Sequence, residues 1–150
     1  MNTKCRDVAL VLLSIISFSV IYAKPAPKPA EPFDAVKAEK ACTAGDIGTC
    51  FHLATHKEKH GDVKGAMTLY GKTCLHGDSA SCIKTGDYHE SQQDPKEAMR
   101  WFRAECLQPS SKGEGCRRVA ELAISNKSQG NAKRWFRKAC DKGDSASCNK

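Results

Sequence analysis

The stretch CLHGDSASC at residues 74–82 returns nearly letter for letter as CDKGDSASC at 140–148. Cysteines bracket both copies, and two more pairs follow the same plan. Cys42–Cys50, Cys74–Cys82 and Cys140–Cys148 each enclose seven residues, whereas Cys106–Cys116 encloses nine. The step from the end of one pair to the start of the next is 24 positions every time. An internal period of about 32 residues is the mark of a solenoid built by stacking one supersecondary unit.

Aligning the chain on its cysteines exposes that unit. Ala66-Met67-Thr68-Leu69-Tyr70 matches Ala98-Met99-Arg100-Trp101-Phe102 and Ala132-Lys133-Arg134-Trp135-Phe136. Ala98, Trp101, Phe102 and Cys106 fall at i, i+3, i+4 and i+8, one face of an α-helix. Upstream, Leu53 and His56 match Thr85 and Tyr88, then Val119 and Leu122, a weaker stripe on a preceding helix. Each unit is therefore two helices, A and B. No run alternates apolar and polar residues with β-branched enrichment, so no strand competes. The predicted fold class is all-α, an α/α solenoid of about three repeats with a half-unit at each end, over residues 33–150.

The repeated loop now has a reason. Gly77 stands where helix B needs a left-handed terminating residue, and Asp78 or Ser79 where the next helix A needs an N-cap. Gly45-Asp46 and Gly143-Asp144 repeat the arrangement. Cysteines a turn back and a turn forward of so tight a corner come within disulfide reach. Setting aside Cys5, which precedes the apolar run, the other eight cysteines admit many pairings, but one geometry serving every corner favours four local ones: 42–50, 74–82, 106–116 and 140–148. The Cys106–Cys116 loop, LQPSSKGEG, is longer and contains Pro109, so its corner is expected to bulge. Zinc is the rival use of these thiols. It favours C-x2–4-C spacing, unlike the wider pairs here.

The N-terminal stretch is read separately. Lys4 and Arg6 precede VALVLLSIISFSVIYA (8–23), an apolar run closed by Ala23. That is the layout of a secretory signal peptide over 1–23. The run is shorter than the about 20 apolar residues a spanning helix needs. KPAPKPAEP (24–32) follows, with four prolines, and reads as an extended spacer. Export to a periplasm or to the outside is the expectation, with no membrane span after cleavage, and it agrees with disulfide use. Removing 1–23 takes away Lys4, Arg6 and Asp7 and brings the formal charge from +7 to +6. A basic exported chain meets anionic envelope components or acidic proteins rather than nucleic acid.

The phrases AMRWFRAEC (98–106) and AKRWFRKAC (132–140), each in register with a G-D-x-x-S/T-C corner, resemble Sel1-like repeats. More narrowly, they are similar to the cysteine-rich, secreted bacterial Sel1-like proteins. The resemblance covers about 38–150 and implies helix hairpins carrying one disulfide each. His56, in place of an aromatic or aliphatic residue of helix A, departs from the pattern, and the last helix A has barely begun at Lys150.

Some members of that family are catalogued as β-lactamases, so the resemblance implies a search for a nucleophile. Ser81-Cys82-Ile83-Lys84 is S-x-x-K, and Lys84-Thr85-Gly86 is K-T-G. The two overlap on one lysine that cannot fill both roles, and no S-D-N accompanies them. Ser81 and Lys84 are thus a minor alternative to a non-enzymatic reading that needs no cofactor. His52, His56 and His60 lie at i, i+4 and i+8, a spacing able to present imidazoles to a transition metal. Against it, His56 aligns with Tyr88 and Leu122 and so faces the core, leaving His52 and His60 exposed. Trp101 and Trp135 share the spacing of core residues. Lys133, Arg134, Arg137 and Lys138 form a local basic patch, a docking surface of unassigned ligand. The expectation for function is binding of a protein, peptide or envelope component on a helical surface.

Overall fold

A computed structural model describes residues 33–150; the leader and spacer assigned to 1–23 and 24–32 lie outside the described residues. Among the described residues seven α-helices succeed one another: α1 (Ala35–Thr43), α2 (Ile47–Lys59), α3 (Val63–Leu75), α4 (Ser79–Ser91), α5 (Pro95–Leu107), α6 (Glu114–Ser125) and α7 (Gln129–Asp141). A single 3-10 turn, Ser145–Ser147, follows, and no strand occurs among the described residues. Each helix packs on the helices before and after it. The fold is an all-α, solenoid-like array in which α2–α3, α4–α5 and α6–α7 are the A–B pairs. Helix α1 is a lone B, and the 3-10 turn stands where a fourth A would start.

One device makes nearly every corner. The amides of Asp46, Asp62, Asp78, Asp94, Ser128 and Asp144 each bond to the carbonyl five residues back, the 6→1 bond of a Schellman turn. The residue before each carries positive φ: glycine at Gly45, Gly61, Gly77 and Gly143, but Gln93 (59°) and Lys127 (58°) at the other two. The aspartate then caps the next helix. Asp34, Asp46, Asp62, Asp78 and Asp94 each accept a bond from the amide three residues on. The pair G-D is therefore one residue that ends a helix and one that starts the next, so the turns are short and alike.

The core follows the aligned positions. Ala66, Ala98 and Ala132 are buried together with Tyr70, Phe102 and Phe136 four residues later. Opposite them lie the small residues after each second cysteine, Ala54, Gly86 and Ala120. Gly86 is tight: a Cβ there would sit 2.4 Å from the Phe102 ring. Trp101 and Trp135, expected in the core, are only half-buried. The correction has a geometric cause. With alanine and phenylalanine at i and i+4 taking the centre of the stripe, i+3 falls at its edge.

Four disulfides close the corners, Cys42–Cys50, Cys74–Cys82, Cys106–Cys116 and Cys140–Cys148, with Cα–Cα distances of 4.7 to 4.8 Å. The first three are buried, while Cys148 is exposed. The first three join a helix B to the next helix A, and the fourth joins α7 to the end of the 3-10 turn. The longer third corner departs from the plan: Gln108 turns extended and Gly113 (φ 93°) replaces aspartate before α6. Buried Glu105 fills this corner, accepting bonds from the Ser111 hydroxyl (3.0 Å) and the Gly115 amide (2.8 Å). At the corresponding place in the second corner, the Thr73 and Ser81 hydroxyls meet at 2.6 Å. Gly115 must lack a side chain because the Glu105 carboxylate occupies its space. Four intramolecular disulfides fit an oxidising compartment. No described helix is long and apolar enough to cross a membrane.

Candidate binding surface

The residues of the hydrolase alternative are engaged in holding the fold. Ser81 is fully buried and its hydroxyl is taken up by Thr73. The Lys84 ammonium donates to both Glu58 oxygens (3.0 and 2.9 Å) and lies 5.1 Å from the centre of the Tyr70 ring. The Glu58 bond raises the Lys84 pKa, the wrong direction for a general base. Glu58 itself is held below the ordinary carboxylate range, chiefly by Lys84 and further by the Tyr70 hydroxyl. One repeat later the same rung recurs. Arg118 pairs with Glu90 and Asp87 and lies 4.7 Å from the centre of the buried Phe102 ring. Lys84 and Arg118 are thus equivalent ties between successive A helices. The carboxylate partners of both were missed in the sequence. The i to i+32 match of Glu58 with Glu90 was the available signal.

The histidine stripe divides as its alignment suggested. His56 is half-buried, and His52 and His60 are exposed. The His56 and His60 rings stack with centroids 4.1 Å apart, and His60 Nδ1 lies 2.8 Å from the His56 carbonyl oxygen. His52 instead meets Phe51 edge-on. Among the described residues no group of three His, Cys, Asp or Glu side chains is placed to hold a metal ion.

The surface with recognisable chemistry lies between α5 and α7. Arg103, Arg134, Arg137 and Lys138 surround the half-buried Trp135 at a depression of about 500 Å³, against a single carboxylate, Asp141. The Arg103 guanidinium and the Lys138 ammonium lie 5.6 and 5.5 Å from the centre of the Trp135 ring. Such cation–π contacts hold long side chains in place while leaving their charge free. Among the described residues no carboxylate pairs with Arg103, Arg134 or Arg137. The basic patch read from the sequence kept to one helix and so left out Arg103, which comes from the preceding repeat. Lys133, which that reading included, lies elsewhere, beside Ile124 and Phe136.

A second depression of about 580 Å³ lies one repeat earlier, among α3, α4 and α5. Its lining is more apolar: Met67, Leu75, Tyr88 and Trp101, with Lys64 and Lys72 at its margin. Lys72 is committed there, donating to the Cys42 carbonyl (2.7 Å). No protein-family model matches the chain, and no curated protein matches it.

Proposed function

We propose that this chain is an exported, disulfide-stapled scaffold of the Sel1-like type that binds an anionic group of a protein, peptide or envelope partner in the cleft around Trp135. The observation that carries the reading is the set of three arginines and one lysine held about a single indole with one carboxylate among them. Clustered cations with like-charge neighbours repel one another, and that cost is relieved when an anion enters. Guanidinium groups add forked donors matched to carboxylate or phosphate oxygens. The Cys106–Cys116 staple supports the reading by tying α5 to α6, on which α7 packs, so the cations need little ordering on binding. A hydrolase reading draws no support from Ser81 and Lys84, given what each of them bonds.

The test is binding of poly-L-glutamate to the oxidised protein, with the double variant Arg134→Glu and Arg137→Glu beside it. Binding is expected for the native protein, to weaken at least tenfold in the variant, and to fall as salt rises from about 0.05 to about 0.5 M. Equal binding by both proteins would refute the assignment of the cleft.

A further inference from the structure

The apolar depression has its equivalent one repeat later, in a hollow that shares Arg103, Arg134 and Trp135 with the cationic cleft. Met67, Thr85 and Trp101 in the first correspond to Met99, Val119 and Trp135 in the second, which is smaller at about 320 Å³. One aligned position decides how they differ. It is Gly71 in the first and Arg103 in the second. With no side chain at Gly71, the Trp101 indole lies against α3, where an added Cβ would meet the ring at 3.1 Å. The ring becomes a wall of an apolar groove beside Met67, Tyr88 and the exposed Leu75. With Arg103 at the equivalent place, a guanidinium covers Trp135 and the groove turns cationic.

We propose that these two grooves form one track for an extended acidic peptide, with an apolar side chain seated beside Leu75 and Trp101 and carboxylates at Arg103, Arg134 and Arg137. The inference rests on the anion-binding reading above and names its ligand class. Charge complementarity selects the acids, and the apolar step selects a peptide over a polyanionic glycan, which has no side chain to place there. The Trp101 indole N–H is buried without a hydrogen-bond partner. It leaves a donor unfilled in the residue that walls the groove. Packed helices lie about 8–10 Å apart. An extended chain rises about 3.3 Å per residue, so the apolar anchor stands about three residues from the first acid.

The probe is a seven-residue synthetic peptide with one leucine three positions ahead of two glutamates. Two control peptides carry glycine for the leucine or glutamines for the glutamates. Affinity for the oxidised native protein is measured by fluorescence. Trp135→Phe leaves Trp101 as the sole reporter, because the chain has two tryptophans. The full peptide is expected to bind at least tenfold more tightly than either control. Leu75→Glu, at an exposed site, is expected to bring it down to the level of the glycine peptide. In Trp135→Phe, Trp101 emission should respond to the leucine peptide and not to the glycine one. If the leucine and glycine peptides bind alike, or heparin fragments compete with no dependence on Leu75, the track is refuted while the cationic cleft stands. If no acidic peptide binds, both fall.

Discussion

At the scale of residues, single small positions set what their neighbours do. Gly86 exists because the Phe102 ring fills the space where its Cβ would be. Gly86→Ala is expected to destabilise the fold by roughly 1–3 kcal/mol through overpacking, read as a lowered denaturant midpoint at unchanged m-value. Titration supplies a second prediction. Glu58 has its folded pKa lowered from 4.5, so its contribution is full above the ordinary value and is lost as pH falls through the lowered one. His56 is lowered from 6.5, first by burial and then by His60, Lys57 and Lys59. The fold thus prefers neutral imidazole and weakens as pH drops below 6.5 toward the lowered value. Thermal midpoints should fall on acidification in both windows. Glu58→Gln should flatten only the lower one, and an unchanged acid limb would contradict the assigned role of the Glu58–Lys84 tie.

At the scale of elements, the turns show both the rule and its lapses. Gly-Asp corners were legible from the letters because one residue type has easy access to positive φ and another caps an amide. The corner after α6 lacks both: Lys127 takes φ 58°, and Ser128 makes no side-chain cap bond. Lys127→Gly together with Ser128→Asp is expected to stabilise the protein by about 1–2 kcal/mol. A calorimetric midpoint that does not rise would show that this corner is not strained. Helix faces were legible less fully. Period and spacing located Ala98, Phe102 and their equivalents in the core, but one-dimensional spacing does not separate the centre of a stripe from its edge. Trp101 and Trp135 were therefore placed too deep. The Arg103 contribution was hidden for another reason: its neighbours Arg134 and Arg137 are a repeat away in the chain, and only packing brings the helices together.

At the scale of the whole molecule, the described core is divided, with Leu69 and Trp135 each packed against more than one of its clusters. The buried residues fall into small clusters of three or four side chains. Repeat units of this kind depend on neighbours and on cross-links for stability. By the chain-entropy model, loops of this length stabilise by about 2–3 kcal/mol per disulfide. Reduction of all four is expected to abolish most of the helical circular dichroism at 37 °C, and full helicity after reduction would contradict the stapling role.

On the proposed reading the anion site is an arrangement held by the fold, and not merely a consequence of a basic chain. Reduction and alkylation with a neutral reagent leave every charge in place while removing the staples. The decisive measurement is therefore poly-L-glutamate affinity of the oxidised protein against its reduced, alkylated form at the same ionic strength. A loss of at least tenfold is expected on reduction, matching the loss in the Arg134→Glu, Arg137→Glu variant. Equal affinity of the two forms would mean that net charge alone attracts the polymer, and the binding cleft would have to be abandoned.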